Sequence, residues 1–147
     1  MSEPAGGFQL SLDQIENYQF RVDFDKDQLK PLIVDEPPPL GQDAGPNPSR
    51  LLASAVGGCL CASLLFCLGK SRISVRGLKA EVKVQVIRNE KKRLRIGRID
   101  VNIAPNLSEE DRERAKRCYG LFEEFCTVTQ SIRDGIDVRV TVAGADD

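Results

Sequence analysis

The sequence predicts an α+β fold, in which antiparallel strands surround one long apolar helix. Three observations carry that expectation. Residues Leu51 to Leu68 hold no charged side chain, apolar residues alternate with polar ones on both sides of this run, and a further stretch after Ser108 repeats at helical spacing. Hairpins separated by helices in the order β-β(-β)-α-β-β-α-β belong to the α+β class. At 147 residues, with 41% hydrophobic and 29% charged side chains, the chain reads as one domain over 1–147 with a real core.

Residues 1–46 come first. Phe8, Leu10 and Leu12 alternate with polar neighbours, and Tyr18, Phe20, Val22 and Phe24 do so more clearly, which is the period of half-buried strands. Asp25 to Gln28 supply a turn and Leu32 to Val34 return as a third strand. Pro37-Pro38-Pro39 cannot join a ladder, so the segment before the helix is expected to be a stiff, extended crossing.

The central helix is expected over 47–70. The Asn47 side chain can cap it, and Pro48 suits the first helical position because its missing N–H costs nothing there. A helix apolar all round is expected to be buried all round, by its own sheets or by a second copy. At about 18 residues, interrupted by Ser54, Gly57, Gly58 and Ser63, the run reads as a buried helix rather than a membrane span.

A hairpin is expected over 76–104. Its return strand is apolar at Leu94 and Ile96, then at Ile99, Val101 and Ile103, so parity switches at Gly97 and a bulge is expected there. The basic side chains from Arg88 to Arg98 read as a solvated tip that guards a sheet edge. Ser108 is a good cap for a second helical region over 108–134, amphipathic through Cys126 and stopped at Asp134-Gly135. Ile136, Val138, Val140 and Val142 read as a last strand over 136–142.

Composition excludes several functions. A formal net charge of −1 creates no field for nucleic acid or anionic lipid, so neither nucleic acid nor membrane is an expected partner. The N-terminal residues lack a signal-peptide pattern, and five cysteines do not suggest a secreted disulfide framework, so a cytoplasmic location is expected. With no histidine, Cys-His and Ser-His pairs and imidazole zinc sites are ruled out. Cys59-x-Cys61 lacks zinc-loop spacing, and at about 100° per residue these sulfurs point to nearly opposite sides of a helix, so no metal is expected. No phosphate loop or dinucleotide fingerprint occurs, and no bound cofactor is expected.

Thiol chemistry remains. Cys67 and Cys118 read as small buried hydrophobes. Cys59 follows Gly57-Gly58, where missing side chains permit close approach to the sulfur. A reactive sulfur must be a thiolate near neutral pH, and without histidine the expected cation is an arginine, with Arg21, Arg50, Arg72 and Arg133 as candidates.

Asn47-Pro48-Ser49-Arg50-Leu51-Leu52-Ala53, Gly58-Cys59-Leu60 and Phe125-Cys126-Thr127-Val128-Thr129 together resemble the OsmC/Ohr superfamily over nearly the whole chain. The resemblance implies an intertwined homodimer, with long helices packed back to back between antiparallel sheets. It also implies a thiol-dependent peroxidase acting on organic hydroperoxides or hydrogen peroxide in oxidative-stress defence. By position, Cys59 would be the peroxidatic thiol, Cys126 the resolving one and Arg21 the supporting arginine, with an external dithiol or lipoyl-type compound as reductant. The chain departs from the family at Ser49, where a glutamate is usual, at Thr127, which replaces a proline, and around Arg21, which lacks the Arg-Asp-Gly context. Those departures keep open an alternative, a non-catalytic dimeric module binding a small apolar ligand. A disulfide exchanger built on Cys59 and Cys61 is a third reading, opposed by the diverging sulfurs.

Overall fold

Alternating side chains give the N-terminal residues their sheet. β1 (Ser11–Glu16), β2 (Gln19–Asp23) and β3 (Leu32–Val34) pair antiparallel in that order, with Asn17 at φ 50° in the first turn. The alternation buries Val22 and Val34 and leaves β1 exposed along its length. Phe8 and Leu10, expected to lead into a strand, lie ahead of β1. The computed structural model describes residues 2–145, and the chain divides between Leu52 and Ala53 into two compact units.

The proline segment is a turn rather than a stiff extended crossing. Gly41 N–H donates to the Pro37 carbonyl at 3.1 Å, and the buried carboxylate of Asp35 accepts from the N–H groups of Glu36, Gln42 and Ala44 at 2.8, 3.1 and 3.0 Å. Prolines cannot supply these donors, so one carboxylate gathers them from the flanking residues. The Pro38–Pro39 peptide is cis.

The central helix α1 spans Pro48–Lys70, and the Arg50 N–H donates to Asn47 Oδ1 at 3.1 Å, which is the expected cap. Burial follows helical spacing: Ala53, Val56, Gly57, Leu60, Ser63, Leu64 and Leu68 form one stripe. Leu65 and Phe66 face outward at 43% and 61% exposure. Of the two expected sources of cover, the chain itself supplies that one stripe. By length and hydropathy α1 also matches a bilayer-spanning helix, a test that the core helix of a soluble domain passes too.

β4 (Leu78–Arg88) and β5 (Leu94–Pro105) form an antiparallel hairpin. Gln85 faces Arg98 and Val86 faces Ile96, so Gly97 is the extra residue, and the bulge lies where the parity switch puts it. A Cβ on Gly57 would come within 2.8 Å of Val82 Cγ2, so this glycine lets α1 lie close on the sheet. Around Gly58 that space is empty.

α2 (Glu109–Tyr119) starts on Ser108, whose hydroxyl accepts from Asp111 N–H at 3.3 Å. It does not run on to Cys126. The chain breaks at Gly120, makes a short 3₁₀ turn over Phe122–Phe125, and enters α3 (Thr127–Asp134), which ends at Gly135 with φ 83°. One buried group joins Leu64, Leu68 and Ile73 to Leu107, Ala115 and Cys118. Complete burial of a leucine such as Leu64 or Leu68 is worth about 1.5–3 kcal/mol. Residues 136–142 form no strand: Ile136, Val138, Val140 and Val142 are 63–80% exposed, and nothing among the described residues pairs with them.

Candidate functional site

Two cysteines 67 positions apart, Cys59 and Cys126, meet in the C-terminal unit. Cys59 sits on the flank of the α1 stripe and is partly exposed. Cys126 is fully buried against Val56 and Leu60, at the junction where the 3₁₀ turn ends and α3 begins. Its φ of −82° and ψ of 100° give an extended residue between two helical ones, its N–H donates to the Glu123 carbonyl at 3.1 Å, and its carbonyl accepts the Gln130 N–H at 3.0 Å. It occupies the N-cap position of α3, with a sulfur where an oxygen normally stands.

Electrostatics at Cys126 are set by its immediate neighbours. Burial raises the thiol pKa, but the Thr129 hydroxyl and N–H, the Cys59 thiol and the Ser63 hydroxyl together outweigh it, and the pKa falls below the ordinary value. The helix N-terminus works in the same direction. Thr129 is 8% exposed and its hydroxyl meets the geometry of a full hydrogen bond to no described atom; it acts on the sulfur as a nearby donor dipole. Neutral donors lower this thiol.

Each arginine candidate has its own surroundings. Arg133 pairs with Glu123 at 2.7 Å. Arg72 is exposed at φ 58°. In the N-terminal unit, Arg21 lies on β2, half exposed, and pairs with Asp23 at 3.1 Å, while Arg50 donates to Asn47 Oδ1 at 3.2 Å. Cys61 is a free, partly buried thiol whose pKa burial pushes up.

Cys67 and Cys118, read from the sequence as unreactive fillers, are joined by a disulfide with Cα atoms 5.7 Å apart. Both lie on apolar helix faces, which is why burial was legible and pairing was not. Among the described residues no group of three or more acidic or cysteine side chains could hold a metal ion.

Val56 and Leu60, which pack against Cys126, also line a cavity of about 310 Å³ whose lining includes neither thiol. Val56 and Leu60 form one wall, Ile99, Val101 and Ile103 of β5 another, and Phe122 a third, with Thr129, Glu123 and Arg133 as its polar members. A mostly aliphatic pocket with few polar groups suits a small organic molecule.

The class defined by this arrangement is an α+β protein in which a central helix and a separate helical junction bring one thiol each into one buried group, with an aliphatic pocket lined by residues of that group. The chain belongs to the OsmC family of OsmC-like proteins, whose model matches residues 41–141. An OsmC-like protein of unknown function from Vibrio cholerae shares the fold at a TM-score of 0.74 and 14% identity, over 86% of this chain and 94% of that one. An organic hydroperoxide resistance protein from Legionella pneumophila aligns at a TM-score of 0.65 and 18% identity, over 93% and 96% of the two chains. Another so described, from Elizabethkingia anophelis with thiocyanate bound, aligns at 0.66 and 18%, over 93% and 95%. No curated protein matches the chain.

Proposed function

We propose that the protein is a thiol-dependent peroxidase that reduces organic hydroperoxides or hydrogen peroxide in defence against oxidative stress. The observation that carries this reading is the contact of a partly exposed Cys59 with a buried Cys126 whose thiolate is stabilised. The greater access of Cys59 supports the order of roles. The Cys59 thiolate attacks the distal peroxide oxygen, the O–O bond breaks, an alcohol or water leaves, and Cys59 becomes a sulfenic acid. Cys126, as thiolate, then attacks that sulfur, hydroxide departs and takes a proton, and a disulfide forms. An external dithiol, or a lipoyl-type compound, returns both sulfurs to thiols by two exchanges and is itself oxidised. Cys126 need not meet the peroxide, so its burial protects it while its lowered pKa favours capture.

Arg21 remains a proposed supporting residue by family position. A homodimer in the cytoplasm is part of the proposal, supported for its dimeric part by the outward Leu65 and Phe66 and the unpaired 136–142 segment.

The test is peroxide consumption with a dithiol, followed by intact mass. Cys59→Ser is expected to abolish turnover, and Cys126→Ser to accumulate a sulfenate or over-oxidised form without the Cys59–Cys126 bond. Undiminished turnover by Cys59→Ser defeats the proposal. The cavity favours a second reading, a dimeric module that retains a small apolar ligand; native mass spectrometry showing bound ligand, with no peroxide-driven disulfide, would select it.

A further inference from the structure

The Cys67–Cys118 disulfide is not needed for the peroxide cycle. It joins the last turns of α1 and α2 across a sequence separation of 51. Its two sulfurs are unequal. Cys118 is 1% exposed, whereas Cys67 is partly exposed. On the buried side, Ser71 Oγ lies 3.6 Å from Cys118 Sγ, and Arg114 Nη2 donates to the Ser71 carbonyl at 2.7 Å, holding that turn against α2. Phe122 and Ile103 pack both on the buried group that contains Cys118 and on the one that contains Cys126.

We propose that Cys67 and Cys118 form a second thiol–disulfide centre, distinct from Cys59 and Cys126, which exchanges with small thiols at Cys67 and fastens the segment that carries Cys126. A small thiolate attacks Cys67 Sγ, the Cys67–Cys118 bond breaks, and Cys118 departs as a thiolate beside the Ser71 hydroxyl before taking a proton from water. A second thiolate attacks the outer sulfur of the mixed disulfide, releasing Cys67 as a thiolate that is then protonated and leaving the two small thiols joined as a disulfide. Two electrons pass from the small thiols to the protein. The reverse exchange, driven by a small-molecule disulfide, closes the bond again. The opposite order of attack is blocked because an incoming thiolate does not reach Cys118. With the bond open, α2 stays packed through Leu107 and Ala115, but the turn after Gly120 loses its covalent anchor, and Phe122 passes that loosening to Cys126.

The experiment uses the full chain, reduced glutathione and oxidised glutathione, with peptide mapping. The unmodified protein should yield a Cys67–Cys118 peptide that glutathione opens under native conditions. In oxidised glutathione, Cys118→Ser should trap the mixed disulfide on Cys67 about tenfold faster than Cys67→Ser traps it on Cys118. Opening should lower the Tm by about 10 °C, from release of the closed loop. It should also raise the alkylation rate of Cys126 several-fold. Graded reduction of the unmodified chain gives the last two readouts if a variant fails to fold. Equal trapping at both positions, absence of the linked peptide, or a Cys126 rate indifferent to opening each overturns the proposal. No readout requires peroxide turnover, so the result stands apart from the peroxidase reading.

Discussion

The hydroxyl of Thr129 faces the sulfur of Cys126 and is buried without a conventional hydrogen bond. Thr129→Val keeps the shape and removes this donor, leaving burial less opposed. The Cys126 thiol is expected to titrate at higher pH, and its alkylation near neutral pH to slow several-fold. The pH dependence of alkylation, read at the Cys126 peptide, checks this. An unmoved profile would show that the hydroxyl does not act on the sulfur.

Asp35 makes the fold sensitive to acid. Its pKa lies below 3.8, chiefly because the Ala44 N–H stabilises the carboxylate; burial opposes this, and the N–H groups of Gln42 and Glu36 add to it. A carboxyl depressed in the folded state contributes stability above its unfolded pKa of about 3.9, and that contribution is lost as pH falls through the folded value. Denaturant midpoints should therefore fall below about pH 4, and Asp35→Asn should flatten that dependence while destabilising the protein at neutral pH. Gly41→Ala should also destabilise, since a methyl there collides with the Glu36 carbonyl and the Asp35 carboxylate.

Adjacent glycines on α1 are expected to respond with opposite signs. Gly57→Ala gains helix propensity but forces Val82 to move, for a net cost of about 1–2 kcal/mol. Gly58→Ala meets no neighbouring atom and should stabilise by up to about 1 kcal/mol. Urea unfolding of the two variants gives the comparison; matched signs would place something against Gly58.

Val140 is 80% exposed in the single chain. Such a position normally tolerates a polar residue within about 0.5 kcal/mol. If a second copy covers 136–142, as proposed, Val140→Asp should halve the molar mass measured by light scattering. A mass unchanged by the substitution counts against cover at this edge.

Local signals made much of the architecture legible. Asn47-Pro48 and Ser108 mark helix starts by satisfying the first free N–H groups, and both caps are present. The Gly97 bulge follows from side-chain parity alone. What stayed hidden depends on partners distant in sequence. Helical spacing from Ala115 to Cys126 concealed the break at Gly120, because a 3₁₀ turn keeps apolar residues at nearly the same intervals. The pattern at 136–142 shows an extended segment but cannot supply a strand with which to pair. At the site, Cys59 and Cys126 were identifiable as a pair by their resemblance to a family, and the structure brings them together. That neutral hydroxyls lower the Cys126 thiol, and that Cys67 bonds Cys118, arise from tertiary placement.

Gly97 also decides what the cavity is made of. Because the bulge absorbs one residue, Leu94 and Ile96 share a face with Ile99, Val101 and Ile103, paired in turn with Arg88, Val86, Val84, Val82 and Ala80. Without that bulge, a ladder running on regularly through Gly97 would turn the later half of the strand by 180°. With pairing kept toward the hairpin tip, Arg98, Asp100 and Asn102 would then face Val84, Val82 and Ala80 and line the cavity, turning an oily receptacle into a charged, wetted one.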